Sequence, residues 1–216
     1  METETPKAFL SVRGRTLLSR SLVRLEKLAP GAQVVVAVHP EDRSRYMDPL
    51  RPELDAVMAT TVVEGGATRL DSMRSALAAC DPDRDLILIH DAARPFFPVE
   101  AARDAMRRAM EVGAALVALP ATDTVKRVDQ DLKVTETLER TGLWLAQTPQ
   151  VIRRSLLEKG LENALADPGT FTDDVSLLEP LGGAVAVVRG SNQNIKITTR
   201  EDLALAELLA DLEDGR

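Results

Sequence analysis

Cations, small hydroxyls and one strand-end carboxylate stand where the chain leaves its apolar runs. Asp91-Ala92-Ala93-Arg94-Pro95 follows Leu86-Ile87-Leu88-Ile89-His90 without a break. A carboxylate at that point can hold a divalent metal, or a sugar or polyol hydroxyl. The plainer alternative is an Asp–Arg pair that closes the loop. His90 reads as a core or strand-end histidine, because nothing in the sequence pairs it into a triad or a metal site. Gly65-Gly66-Ala67-Thr68-Arg69 joins a strand to a helix N-terminus, where backbone N–H groups attract anions or the acceptors of a base. A Gly-Gly pair alone is an ordinary tight turn. Gln147-Thr148-Pro149-Gln150 follows another strand, and Thr148 is either a ligand or a turn residue. Asn194-Ile195-Lys196-Ile197-Thr198 sets a lysine inside an apolar strand, which lysine rarely occupies unpaired. Thr122-Asp123-Thr124-Val125-Lys126-Arg127 opens a segment of alternating polar and apolar residues, and Arg140 closes it. Such charges otherwise mark the solvated face of a hairpin. The set holds no Ser or Cys nucleophile with its base and no His/Cys metal cluster. It suits electrostatic phosphate chemistry rather than acyl transfer. The residues alone point to an α/β enzyme handling phosphorylated metabolites.

Those loops need elements to hold them. Val34-Val35-Val36-Ala37-Val38 is a continuous β-branched run, as in a strand buried on both faces. Leu17, Leu18, Leu22, Leu25 and Leu28 before it fall on one helical stripe. Thr60–Val63 is a strand, and Thr68 with Asp71 is a capping box that starts a helix carrying Leu70, Met73 and Leu77. Residues 86–90 and 115–119 are strands. Pro98 opens the helix between them. Thr124–Leu138 reads as a two-stranded hairpin arm turning at Asp129-Gln130-Asp131. A strand near 143–147, a helix over 153–166, a capped helix from Thr172, strands at 185–188 and 195–198 and a last helix from Thr199 complete the chain. This βα alternation predicts a mostly parallel sheet flanked by helices, in one domain over 1–216 with the arm at about 122–142. Ligands of such sheets bind beyond the carboxyl ends of the strands, where the loops above lie.

Composition excludes several classes. The chain has 216 residues, 44% hydrophobic and 28% charged, which is globular rather than disordered. A net charge of −7 argues against nucleic-acid binding, though a pocket can be locally basic. Cys80 is the single cysteine, so no internal disulfide can form. No apolar stretch reaches bilayer length, and the N-terminus has no secretory core. A cytoplasmic protein is expected, with no nucleic-acid or membrane partner.

The ordered motifs go further. Pro6-Lys7-Ala8-Phe9-Leu10, Gly65-Gly66-Ala67-Thr68-Arg69-Leu70-Asp71-Ser72, His90-Asp91-Ala92-Ala93-Arg94-Pro95, Asp123-Thr124-Val125-Lys126, Gly142-Leu143-Trp144 with Gln147-Thr148-Pro149-Gln150, Thr172-Asp173-Asp174 and Asn194-Ile195-Lys196-Ile197-Thr198 stand in the order seen in 2-C-methyl-D-erythritol 4-phosphate cytidylyltransferases. The chain resembles that family over nearly its whole length. The resemblance implies a Rossmann-like nucleotidyltransferase fold with a β-hairpin dimerisation arm. It implies transfer of CMP from CTP to the polyol phosphate with release of pyrophosphate, in the non-mevalonate route to isoprenoids. It implies Mg²⁺ and a homodimer in which each arm reaches the partner's site. By the same resemblance, Lys7 contacts the triphosphate, and Gly65, Gly66 and Ser72 hold cytosine and ribose. Asp91, Thr148 and Lys196 hold the polyol phosphate, with Lys7 and Lys196 as the catalytic cations. Arg94, Thr124 and Arg140 complete or stabilise that site, some of them across the dimer. No protein metal ligand is assigned.

Two rival readings share these motifs: a ribitol-5-phosphate cytidylyltransferase, and a non-catalytic dimeric homologue. The second has a specific motive. The family begins with a strand and an A-A-G-x-G-x-R-M-type loop, and Met1 stands where that loop's methionine would be. On the sequence as written, the expectation is weak CTP binding and little turnover, because the amides and arginine of that loop would meet the triphosphate.

Overall fold

The computed structural model describes residues 5–166 and 171–215. A 3₁₀ turn (Lys7–Phe9) leads into a small hairpin, β1 (Ser11–Val12) and β2 (Arg15–Thr16), and then α1 (Leu17–Leu28). Thr16 caps α1 by accepting the Ser19 N–H. β3 (Val34–Val38) is followed by α2 (Pro40–Asp42), a π turn (Arg43–Met47) and α3 (Asp48–Val57). Next come β4 (Thr60–Glu64), α4 (Arg69–Ala78), β5 (Leu86–Ile89), α5 (Val99–Val112) and β6 (Ala114–Pro120). β7 (Val125–Val128) and β8 (Val134–Leu138) make the arm. The chain then forms β9 (Trp144–Arg153), α6 (Arg154–Ala166), a 3₁₀ helix (Val175–Leu181), β10 (Val185–Arg189) and α7 (Arg200–Asp214).

The main sheet is four-stranded, in the order β10-β6-β9-β5. β5, β6 and β10 run one way, and β9 lies reversed between β6 and β5. β9 reaches β6 through the arm rather than through a crossover helix, and so returns antiparallel. β3 and β4 pair in parallel as a separate two-stranded ribbon. The α/β, Rossmann-like reading thus stands, with one strand turned.

The apolar runs are continuous because helices cover both faces of the main sheet. Leu86 and Leu88 of β5 and Ala115 and Val117 of β6 pack against Ala105 and Ala109 of α5. Ile87 and Ile89, with Leu116 and Ile152, face Leu157, Leu161, Leu177 and Leu178 on the other side. The fully buried alanines Ala102, Ala105 and Ala109 let the α5 backbone lie close to the sheet. Each buried leucine or isoleucine contributes roughly 1.5–3 kcal/mol against exposure. This scaffold is what holds the loop after β5 in place.

The structure departs from sequence expectation in several elements. Residues 195–198 form no strand; Ile197 N–H bonds the Ala93 carbonyl at 2.9 Å, but no ladder follows. The strand near 143–147 instead continues through Gln147-Thr148-Pro149-Gln150 to Arg153, with a register shift opposite Leu116 and Ala118. The proline there reads as a strand terminator, yet a bulge accommodates it. Thr172 does not cap a helix: the 3₁₀ helix begins at Val175, and Asp173 accepts the Ser176 N–H at 3.1 Å. The helical stretch over 40–57 contains Pro49 and Pro52, which mask its periodicity. The arm forms as expected, with Asp129 Oδ1 accepting both the Asp131 and Lys133 N–H groups at its turn.

Candidate active site

At the carboxyl end of β5 the chain folds back on itself. Asp91 Oδ1 accepts the Ala93 N–H at 3.0 Å, and Arg94 N–H bonds the Asp91 carbonyl at 2.8 Å. The other carboxylate oxygen, Oδ2, lies 2.8 Å from Lys196 Nζ. Burial by itself raises the Asp91 carboxyl, but the Lys196 ammonium and the Ala93 N–H outweigh it and hold the group below the usual carboxylate value. Lys196 therefore does have the partner that its apolar setting demands, and that partner comes from a distant loop. The Asp91 and Arg94 side chains form no ion pair with each other; only the backbone bond between them closes the loop.

Arg94 instead braces the neighbouring loop. Its guanidinium donates to the Asn194 carbonyl at 2.8 Å and the Ala146 carbonyl at 3.4 Å. Burial lowers its pKa, opposed by the Asp91 charge. Asn194, fully buried, donates to the Thr148 carbonyl at 2.9 Å and to Gln147 Oε1 at 3.1 Å. Among the described residues, Asn194 Oδ1 is a buried side-chain atom left without a hydrogen-bond partner. Thr148 Oγ1 accepts the Asp91 N–H at 3.1 Å and lies 3.1 Å from His90 Nδ1. Asp91, Arg94, Thr148 and Lys196 thus converge from two loops and a strand. His90, read from sequence as a core or strand-end residue, is half-buried edge-on against Phe97 and joins them.

A second cluster surrounds the Gly-Gly turn. Gly66 N–H bonds Ser72 Oγ at 3.0 Å, and that hydroxyl donates back to the Thr68 carbonyl at 3.0 Å. Gly65 N–H continues the β3 ladder onto the Val38 carbonyl at 2.8 Å. Any Cβ at Gly66 would run into Asp71, so only glycine lets the turn lie so close to α4. The expected capping box is present between Thr68 and Asp71.

Sequence reasoning missed what fastens this turn. Arg69 makes a bidentate pair with the fully buried Asp174, at 2.9 and 2.8 Å. That bond raises the Arg69 pKa. Gln150, buried on β9 two residues beyond Thr148, accepts the Asp174 and Val175 N–H groups, each at 2.9 Å, and donates to Asp173. The turn and the Asp91 cluster thereby hang on the same strand. The Thr172-Asp173-Asp174 motif was the available signal, but its partners lie far apart in sequence.

Three expected site residues do not join these clusters. Lys7 sits on the 3₁₀ turn, and its ammonium makes no hydrogen bond or ion pair with any described residue. Thr124 and Arg140 are exposed on the arm, where Arg140 donates to the Thr122 carbonyl.

A family model described as 2-C-methyl-D-erythritol 4-phosphate cytidylyltransferase (IspD) matches residues 1–211. A protein of that description from Syntrophus aciditrophicus is 36% identical over 216 residues, covering 100% of this chain and 92% of the relative. One from Syntrophotalea carbinolica is 38% identical, over 98% of this chain and 91% of the relative. Among solved structures, the 2-C-methyl-D-erythritol 4-phosphate cytidylyltransferase of Thermus thermophilus superposes with a TM-score of 0.82 at 35% identity, over 95% of this chain and 94% of that one. The 4-diphosphocytidyl-2C-methyl-D-erythritol synthase of Anaerococcus prevotii gives 0.83 at 30% identity, over 93% and 88%.

Proposed function

The chain belongs to the 2-C-methyl-D-erythritol 4-phosphate cytidylyltransferase family, and we propose a division of labour among its residues for that family's reaction. The enzyme is a nucleotidyltransferase that moves CMP from CTP to 2-C-methyl-D-erythritol 4-phosphate and releases pyrophosphate. Asp91, Thr148 and Lys196 hold the polyol phosphate, and Arg94 fixes the loop that carries Lys196. Gly65, Gly66 and Ser72 hold cytosine and ribose, and Lys7 meets the triphosphate. One observation carries this reading: the 2.8 Å Lys196–Asp91 pair beside the Thr148 hydroxyl, at the carboxyl end of β5.

The arrangement suits the chemistry. A monoester oxygen of the polyol phosphate attacks the α-phosphorus of CTP in line. The bond from that phosphorus to the bridging oxygen breaks, and pyrophosphate departs with the electron pair. The nucleophile is already an anion and needs no strong base. The barrier lies in joining two polyanions, which fixed cations lower. Lys196 is aimed by Asp91, so its ammonium is positioned before substrate arrives. The Lys7 ammonium, unpaired among the described residues, is open to a phosphate.

Mg²⁺ is implied by the family resemblance. Among the described residues no group of three or more His, Cys, Asp or Glu side chains could hold a metal. Asp91 is already engaged by Lys196. These residues do not build a metal cage, so the ion fits this chain only as a companion of the triphosphate oxygens, a common role for Mg²⁺. Bound there, it would offset charge on the phosphates.

The site is completed, in this reading, by a second copy of the chain. Val128, Leu132, Val134, Leu143, Trp144 and Leu145 are exposed apolar residues along the arm and the start of β9. A solitary two-stranded hairpin is marginal in water. Docked on a partner, it would bring Thr124 and Arg140 to that partner's Asp91 cluster. Residues 1–216 act as one catalytic domain with this arm as its extension. No helix among the described residues is long and apolar enough to cross a membrane.

The direct test is pyrophosphate release from CTP with each polyol phosphate in turn. Release with 2-C-methyl-D-erythritol 4-phosphate and little with ribitol 5-phosphate is expected. The reverse preference would overturn the substrate assignment.

A further inference from the structure

We infer that His90 is a positioning residue whose half-buried ring turns the Thr148 hydroxyl so that it meets the substrate only as a hydrogen-bond acceptor. The inference rests on the proposal that Thr148 faces the polyol phosphate, and it specifies which part of that molecule Thr148 touches.

In a neutral ring the hydrogen bonds determine the proton positions. His90 Nε2 lies 3.2 Å from the Arg94 backbone carbonyl, which can only accept. Nε2 therefore carries the ring proton. A neutral imidazole has one N–H, so Nδ1 is a bare acceptor. Thr148 Oγ1, 3.1 Å away, must then point its single proton at Nδ1. The Asp91 N–H, also 3.1 Å from Oγ1, takes one of the oxygen's lone pairs. One lone pair remains. The ring stays neutral near pH 7 because burial pushes its pKa down to about 4, against the pull of the Asp91 carboxylate.

A lone acceptor selects its ligand. A phosphate oxygen anion offers no proton and would meet Thr148 lone pair to lone pair. A hydroxyl can donate. Thr148 therefore binds the hydroxylated carbon skeleton, and the phosphate falls to cations such as Lys196. A keto or deoxy compound would leave the Thr148 oxygen desolvated without a partner, which is how buried polar groups enforce selection. His90 touches Asp91 through Thr148, and it touches Arg94 directly. The Arg94 carbonyl thus fixes the ring's tautomer, and the ring fixes the Thr148 proton without meeting substrate.

The chain has only two histidines, His39 and His90, so nitrogen NMR of histidine-labelled protein can read the tautomer directly. The Nε2–H form is expected for His90, and an Nδ1–H form would overturn the inference. Two variants test the consequence. In His90→Asn the amide oxygen replaces Nδ1 as acceptor for Thr148. In His90→Gln an amide nitrogen replaces Nε2 as donor to Arg94, and the acceptor is displaced. The Gln variant should raise KM for 2-C-methyl-D-erythritol 4-phosphate about tenfold, the scale of one net hydrogen bond. Its KM for CTP should hold, and the Asn variant should lie near wild type. Adding Thr148→Val to His90→Gln should cost no more than Thr148→Val alone. Equal damage in both variants, or additive effects in the double variant, would sink the idea. Failure of the substrate assignment looks different, since wild type itself would then release pyrophosphate with another polyol phosphate and not with 2-C-methyl-D-erythritol 4-phosphate.

Discussion

Around Asp91 the polar side chains bond across segments far apart in the chain, whereas along the arm they bond only within the hairpin and its apolar side chains face solvent. Lys196, Thr148, Arg94 and His90 are cross-bonded by loops from residues 90 to 198. On the arm, Leu132 is 81% exposed and Val134 60%. Its bonds run from one strand to the other, such as Arg127–Glu136 at 3.0 Å and Lys126–Thr137 at 2.6 Å. The first region is preorganised by the monomer. The second pairs its cations and hydroxyls only within the arm itself. A binding site split this way places its fixed charges on one chain and leaves the remainder to association.

The strongest way to break the preorganised half is Lys196→Ala. It removes a cation from the proposed phosphate position and leaves Asp91, which is 20% exposed at its side chain, without its counter-ion. Turnover should fall roughly 10²–10³-fold, the range for losing one transition-state donor. The Asp91 carboxyl should rise from its depressed value, since burial, the largest influence on it, would lose its main opponent. Steady-state kinetics with NMR titration of Asp91 checks both. Turnover near wild type would remove Lys196 from the chemistry.

The arm yields to complementation. Arg140→Ala should be inactive or weak alone, as should Lys196→Ala, yet mixed chains should regain activity. Each heterodimer would carry about one site with both cations intact, if arms cross between protomers. Activity that stays absent while mass analysis shows heterodimers would place Arg140 in its own chain's site. A monomer in sedimentation would end the proposal outright.

The contrast also explains what could be read from the sequence. The loops at Gly65, Asp91 and Lys196 were legible because each breaks a local rule: a glycine pair before a helix, a carboxylate after an apolar strand, a lysine among isoleucines. The hairpin was legible from its alternation and its Asp129 turn. What joins the loops was not. Arg69 and Asp174 are 105 positions apart, and Gln150 reads as a loop residue because Pro149 masks the strand that carries it. Residues 195–198 have the pattern of a strand, but Lys196 is committed to Asp91 and the backbone bonds Ala93 only once. Long-range pairing overrode local preference at these points, and a single sequence records no pairing.

The smallest expected effect separates the two regions by acid. His90 holds a pKa of about 4, against an ordinary 6.5, chiefly because it is buried. Asp91 and the hydrogen bond to the Arg94 carbonyl pull that value up, while the Arg94 and Arg24 charges push it further down. The unfolded chain gains a proton on this residue as pH falls from about 6.5, and the folded chain does not until about 4. Protons therefore favour unfolding across that window, and stability should decline as pH falls through it. Asp91, held below the ordinary 3.8, contributes stability above that value and loses it only at lower pH, beneath the His90 window. Replacing residues 125–138 by a short turn should leave the decline between pH 6.5 and 4 in place, because His90 is not on the arm. His90→Asn should flatten it. Thermal unfolding of the variants across this range reads the difference as a change in Tm per pH unit. A decline that persists in His90→Asn, or that vanishes with the arm, would mean that the acid-sensitive group lies outside the Asp91 cluster.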